Sequence, residues 1–382
     1  MSASASPRSE AAAARRGARD APARKLARAP LLAAGAVSLL AGMWAGLRRA
    51  GWDVPLAFGM DLADHAALMV SGFLGTLIAL ERAVALRLPW TFLAPALSGL
   101  AGVGLLLGLP RAFSVLLFAL AGGVLTLGYL YVLRLQPATF TTAMAAGAGA
   151  WLLGTLAWGG GLPAATWTTG WAAFLVLTIV GERLELSRLT RLPRAAWTAF
   201  SLLVAAHGAA VGLSVFEPSW GFRLAGLVFV GWAVWLARHD VARRTVRTPG
   251  LPRFAAVGLL TGYGWLLVAG LLWAAGPTLP AGLRYDAQMH ALFLGFVFSM
   301  VFAHAPIIWP SVLGGEIRFF RRFYAHLGLL HLSLLMRVGA DLAGWEDGRR
   351  WAVVLNTVAI VIFLVNTAVA SRPSSPAAHG RR

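Results

Sequence analysis

Residues 286 to 310 read DAQMHALFLGFVFSMVFAHAPIIWP, a run apolar enough to cross a bilayer that nonetheless carries His290 and His304. An earlier run, DLADHAALMVSGFLGTLIALER over 61–82, places His65 just after Asp61 and Asp64, as His290 follows Asp286. Imidazoles inside hydrocarbon are costly and mark functional candidates. Two neutral imidazoles at equal depth on separate helices can serve as opposed axial ligands of one metal centre. A b-type haem asks for such a pair, an apolar slot for the porphyrin, and cationic groups at the mouth for its propionates. His65 and His290 are therefore the candidate haem ligands. Arg337 and Arg284 are candidates for the propionates, and Gly72, Gly75 and Gly295 leave room for the ring. The competing reading for any single histidine is a core imidazole satisfied by a backbone carbonyl and a hydroxyl.

Elements that could hold such a pair follow from composition. With 58% hydrophobic residues, 13% charged residues and a mean hydropathy of +0.71, the 382-residue chain reads as an all-α polytopic membrane protein in a lipid bilayer. Runs long enough to span lie near 30–47, 63–86, 91–109, 112–134, 139–159, 167–186, 196–215, 221–238, 254–275, 286–311, 324–343 and 350–370, about twelve helices. The expected organisation is a disordered cytoplasmic tail over 1–29, a twelve-span domain over 30–371 and a cytoplasmic tail over 372–382. Cysteine is absent, which excludes disulfides, thiolate-ligated haem and iron–sulfur clusters.

The net charge of +18 is distributed by side. Apart from Arg48, Arg49, Arg111, Arg223, Arg284, Arg337, Arg349 and Arg350, all Lys and Arg residues fall in the two tails and in alternate connections. That bias predicts both termini in the cytoplasm of a bacterial-type inner membrane, and it removes the nucleic-acid reading of the basic charge. His65 and His290 then lie toward the outer side. His304 is 14 residues beyond His290, about 21 Å along a helix, and belongs to the inner side.

Spans two, six and ten share a pattern. GFLGTLIALER ends in Glu81-Arg82, FLVLTIVGER ends in Glu182-Arg183, and GFVFSMVFAH places His304 at the offset from Gly295 that Glu81 has from Gly72. Three pseudo-repeats of four helices are expected. Glu81 is expected to pair across helices with Arg183, and Arg337 with Asp341 one turn on. On the inner side Pro306 and Pro310 predict a kinked or broken helix after His304. His304 with His326 or His331 is the candidate for a second metal site, copper or a second haem, against the plainer reading of interfacial histidines at a kink. His207 is expected to be a structural core histidine.

HALFLGFVFSMVFAHAP, with HAALMVSGFLGT before it, resembles the NnrS family of haem- and copper-containing twelve-span proteins associated with nitric oxide metabolism. The three-by-four arrangement resembles the catalytic subunit of haem–copper oxidases, where the histidines of helices two and ten ligate a low-spin haem. The resemblance implies the same role for His65 and His290, a redox or nitric-oxide-related function, and an electron donor or diatomic gas as partner. Departures limit it. Gln288-Met289-His290 lacks the first histidine of the oxidase His-x-His pair, FLVLTIVGERLEL has no copper-binding histidine, and span seven has His207 alone. The alternatives are a secondary transporter with buried ionisable residues and a haem-free structural membrane protein.

The orientation is checked by reporter fusions. Fusions after Leu162 and Gly276 are expected to be external, and those after Arg191 and Arg244 cytoplasmic; inverted signals at either pair would overturn the assignment of depths.

Overall fold

The computed structural model describes residues 7–55, 59–187, 192–313 and 316–372, with the backbone alone for 7–27, 310–313, 316 and 372. Twelve long helices follow one another: α1 (Arg28–Arg49), α2 (Leu62–Leu86), α3 (Pro89–Leu106), α4 (Arg111–Leu135), α5 (Thr139–Gly159), α6 (Ala164–Ser187), α7 (Arg194–Phe216), α8 (Pro218–His239), α9 (Leu251–Ala275), α10 (Leu283–Trp309), α11 (Phe323–Ala343) and α12 (Glu346–Ala370). All but α11 are long and apolar enough to cross a membrane. In α11 the polar residues His326, Ser333, Arg337 and Asp341 are buried among neighbouring helices, which lowers its mean hydropathy without exposing charge to lipid. The protein is an all-α, multi-pass membrane protein.

Of the tails read from sequence, residues 1–6 and 373–382 lie outside the described residues. The backbone of α1 is already helical from Pro7, so the stretch 7–29 that composition marks as a disordered tail continues the first helix. Helix ends follow local chemistry. Proline opens α3 and α8, where its missing N–H costs nothing. Gly344 closes α11 in the left-handed conformation, its N–H returning to the Ala340 carbonyl. Gly108, at φ +70°, ends the turn after α3 where Gly59 packs against it; a Cβ on Gly59 would sit 2.9 Å from the Gly108 Cα.

The bundle is organised around α6. Of its most apolar stretch 89% is buried, against 28% for α7, so α6 is the central post and α7 lies at the periphery. The helix pairs α5/α6, α8/α9 and α11/α12 pack closely, and α6 and α10 also touch across the centre. At one end the repeat-related positions meet. Arg82 of α2 pairs with Glu182 of α6, and Arg183 of α6 reaches the His304 Nε2 of α10 at 3.4 Å. Three helices that share a sequence pattern are thus joined by contacts at its matching end.

Two helices depart from α geometry in matching places. α2 is a π-helix over Leu68–Gly75 and α10 over Ala291–Phe298, beginning three residues after His65 and one after His290. Glycines in and beside these turns admit aromatic rings. A Cβ on Gly75 would lie 2.6 Å from the Trp151 ring, and one on Gly295 would lie 2.5 Å from that of Trp265. Past its π turns α10 does not break at the prolines. The helix runs through Pro306 and Pro310 to Leu313 without the expected break: each proline removes a single ladder bond, which a packed helix inside a bundle tolerates. Beyond it, Glu316–Ile317 pairs antiparallel with Ser371–Arg372, in the register Glu316 to Arg372.

Overpacking at Gly295 is expected to be costly. Gly295→Leu should lose about 1–3 kcal/mol of stability, whereas Gly264→Leu, at a position with open space around its Cβ, should stay within about 0.5 kcal/mol of the parent. Thermal unfolding in detergent measures both, and equal losses would show that the close approach to Trp265 is not what the glycine provides.

Candidate functional site

The ends of α1, α2, α6, α10, α11 and α12 enclose a cavity of about 570 Å³. That is within the usual size range of cofactor and ligand sites. His65 and His290 face each other in its wall, with ring centres 6.3 Å apart and ring planes inclined by 39°. Each ring is oriented by its Nδ1. That of His65 bonds the Gly42 carbonyl of α1 at 2.7 Å; that of His290 bonds the Asp286 carbonyl at 2.9 Å and lies 3.3 Å from the Asp286 carboxylate. A carbonyl can only accept, so Nδ1 carries the hydrogen in both rings and Nε2 is left with its lone pair free to bind. Gly46 lets α1 pass close to His65, since a Cβ there would stand 3.2 Å from the His65 Cε1.

The remaining wall grades from apolar to charged. Met43, Met69, Leu74, Phe293, Phe298 and Ile360 supply the apolar part, with Trp167 and Trp171 from the central helix. Charge collects at the helix ends in Arg49, Asp286, Arg337, Glu346 and Arg349. Arg337 donates to both oxygens of Asp286, at 2.7 and 2.9 Å, so Asp286 ties His290 of α10 to α11. Asn356 of α12 extends the chain, accepting from Arg337 at 3.5 Å and donating to the Ser333 hydroxyl at 2.6 Å. The entrance of α2 is held separately. Arg111 reaches Asp61 at 3.2 Å and Asp64 at 3.0 Å, and the Asp61 side chain caps the turn by accepting from the Ala63 N–H at 2.9 Å.

Several expectations are corrected here. Arg284 is exposed and does not line the cavity; Arg49 and Arg349 do. Arg337 pairs with Asp286 rather than Asp341, because its two-pronged fork meets the Asp286 carboxylate across the helix interface. Glu81 does not pair with Arg183. Arg82 takes Glu182, and Arg183 takes Asp240 at 2.6 and 2.8 Å in a pair that is almost wholly buried.

The histidines of the expected second metal site each have other partners among the described residues. The His304 Nδ1 bonds the Met300 carbonyl at 2.9 Å, and its Nε2 faces Arg183. His326 accepts from Asn366 at 3.1 Å inside a cage of Phe254, Phe302, Phe323 and Phe363. His331 lies between Trp265 and Thr261, at 3.1 and 2.8 Å. Among the described residues no group of three or more His, Asp or Glu side chains is arranged to hold a metal ion. His207 is fully buried and accepts from the Trp232 indole at 3.3 Å, the environment of a core histidine.

One family match covers this whole architecture. The chain belongs to the family described as a domain of unknown function (DUF8744), which matches residues 28–372. The match takes in all twelve helices and both cavity histidines. No curated protein and no solved structure matches the chain.

Arg49 and Arg349 escaped the sequence analysis, although both stand among the few arginines found against the charge bias. That bias was the available signal. The second role of Asp286, as partner of both Arg337 and His290, depends on a contact between α10 and α11 that spacing does not reveal.

Removing one member of a buried ion pair strands the other. Asp286→Ala is expected to cost about 3–5 kcal/mol by leaving Arg337 uncompensated, while Arg284→Ala should change stability by less than about 0.5 kcal/mol. Thermal unfolding in detergent distinguishes them; a parent-like Asp286→Ala variant would remove the pair from any supporting role.

Proposed function

We propose that this protein is an integral membrane haem protein whose b-type haem is held between His65 and His290, with a redox or nitric-oxide-related role. The observation that carries the reading is the separation of the two rings. Metal–imidazole bonds of about 2 Å, with roughly 1.15 Å from nitrogen to ring centre, put the centres of two opposed ligands about 6.3 Å apart. The His65 and His290 ring centres lie at 6.3 Å. Ring pairs elsewhere in the bundle share that spacing, so the support comes from its combination with a common cavity wall and an Nδ1 hydrogen committed to a backbone carbonyl in each ring.

The other requirements of the group are met by residues of this chain. Apolar and aromatic side chains line the greater part of the cavity wall, and Arg49 and Arg349 stand at its charged end for two carboxylates, with Arg337 held back by Asp286. Such a haem supplies reversible one-electron chemistry at iron. The protein's part is to orient both rings, keep their Nε2 lone pairs available and exclude lipid and bulk water from the slot. The resemblance to the NnrS and haem–copper oxidase families supports the functional class, and the arginine bias supports a cavity toward the outer face with both termini cytoplasmic. An electron donor or a diatomic gas is the partner chemistry this implies.

The absorption spectrum of the purified full-length protein tests the reading. A Soret band, accompanied by sharp and separate α and β bands after dithionite reduction, is expected. Either His65→Ala or His290→Ala should abolish the low-spin signature, and His207→Ala should leave it intact. Pigment-free protein, or a spectrum unchanged by both cavity variants, would sink the proposal.

A further inference from the structure

The end of the bundle opposite the cavity carries a surface whose charge the chain itself leaves unmatched. The connection from α8 to α9 holds Arg238, Arg243, Arg244, Arg247 and Arg253, all exposed. That from α10 to α11 holds Arg318, Arg321 and Arg322, exposed as well. Among the described residues none of these eight is within ion-pair distance of a carboxylate. Asp240 is the one acidic residue between 238 and 253, and it is buried and held by Arg183. Residues 317–324 contain none, and Glu316 beside them is a single carboxylate against eight guanidinium groups. Neither α9 nor α11, which start here, has an acidic residue in its first turn to offset the charge.

The two connections form one face. Phe254, next to Arg253, packs against Phe319, Phe323 and Tyr324, with ring centres 5.9, 5.6 and 5.4 Å away. Each connection is also held in shape. The Asp240 carboxylate accepts from the Ala242 N–H at 2.6 Å as well as from Arg183, which fixes the first connection to α6. Arg253 closes it by donating to the Val246 carbonyl at 3.0 Å and to the Arg247 carbonyl at 3.3 Å. In the second, Arg318 and Arg322 lie over the Phe320 ring, their guanidinium carbons 5.5 and 4.6 Å from its centre. A guanidinium held over a ring still presents N–H donors outward, and their fork matches the oxygens of a phosphate.

The place of this surface selects the kind of anion. Both connections begin and end on spans, α8 ending at His239, α9 starting at Leu251 and α11 at Phe323, so their arginines stay at the level of lipid headgroups. Exposed apolar side chains continue the surface into the bilayer, with Val234 of α8 39% exposed and Ile307 of α10 55% exposed. Cations at the boundary beside lipid-facing apolar side chains match a molecule with phosphate at one end and hydrocarbon at the other. We propose that the α8–α9 and α10–α11 connections form a binding site for anionic phospholipid, with Arg244, Arg247, Arg318, Arg321 and Arg322 meeting the headgroup phosphate. A zwitterionic headgroup brings its own ammonium group and gains less from the same arginines. The site stands independently of the haem reading.

Spin-labelled lipids test this with the full-length protein reconstituted into phosphatidylcholine vesicles. Electron paramagnetic resonance reads the fraction of labelled lipid immobilised at the protein. Labelled phosphatidylglycerol is expected to be retained several-fold more strongly than labelled phosphatidylcholine, the preference fading as salt rises. Replacing Arg244, Arg247, Arg318, Arg321 and Arg322 together by Gln should bring the two lipids to within about twofold of each other. Arg223→Gln with Arg284→Gln, exposed arginines of the other end, should leave the parent preference. A photoreactive phosphatidylglycerol, cross-linked to the parent and mapped by peptide mass spectrometry, decides the place whether or not the five-arginine variant inserts: adducts within 234–254 and 307–324 are expected. Equal retention of both lipids by the parent, a preference that survives in the five-arginine variant, or adducts confined to other segments overturns the proposal. So does displacement of labelled lipid by inorganic phosphate but not by chloride at equal ionic strength, which would make this a free-anion site. Binding of polyglutamate or duplex DNA that the variant loses, with no lipid preference in the parent, would give the face to an acidic protein or to nucleic acid and overturn it as well.

Discussion

A charge inside a lipid-embedded bundle must be turned inward and given a partner, and that constraint arranges this molecule at both ends. At one end Arg82 holds Glu182, and Arg183 holds Asp240 and touches His304. These contacts tie α2, α6, α10 and the end of α8 at a single level. At the other, Arg111 holds Asp61 and Asp64 while Arg337 holds Asp286. Between the two levels the spans are apolar, and large leucine and valine side chains such as Leu116, Leu202 and Val365 face outward. The clamp at the first level is closed: its arginines are matched to carboxylates. The second level is open, because Arg49 and Arg349 remain in a cavity wall with no carboxylate in hydrogen-bonding contact among the described residues.

The π turns connect those levels to the histidines. A π turn carries more residues than an α turn, so a stretch of them rotates everything beyond it relative to a regular helix, which advances about 100° per residue. Both α2 and α10 take their π stretch directly after the cavity histidine. The histidine can then face the cavity while Arg82 on one helix and His304 on the other still reach the closed clamp. Gly72, Gly75 and Gly295 accept the resulting close packing. A Cβ on Gly72 would lie 2.8 Å from the Ser38 hydroxyl, and the other two take tryptophan rings. Sequence spacing alone assumes one helical period throughout, which is why depth along the span was legible and rotation about it was not.

That distinction separates what could be read from what could not. The number and limits of the spans followed from apolar runs, because burial in lipid leaves few other uses for them. The pairing of His65 with His290 followed from depth. The pattern of Glu-Arg, Glu-Arg and His singled out three helices, and these touch at the matching ends. The individual pairs came out differently. Arg337 ignores Asp341 on its own helix for Asp286 on the next, and Glu81 yields its place to Glu182, because bidentate contacts across an interface outweigh an i, i+4 pair. His304, His326 and His331 looked like a cluster in sequence because their expected depths agree, yet they point to Arg183, to Asn366 and to Trp265. Equal depth is necessary for a shared ligand, and facing must be supplied by packing.

The two cavity imidazoles are not equivalent, and the difference lies behind them rather than between them. His65 rests on a backbone carbonyl, a neutral acceptor whose position is set by α1. His290 rests on a carbonyl and, at 3.3 Å, on the Asp286 carboxylate, which is itself anchored by Arg337. A carboxylate behind an imidazole raises the basicity of the opposite nitrogen. Under the haem reading His290 is therefore the stronger donor and the more firmly oriented ligand, while His65 is held chiefly by the close approach of α1 at Gly46.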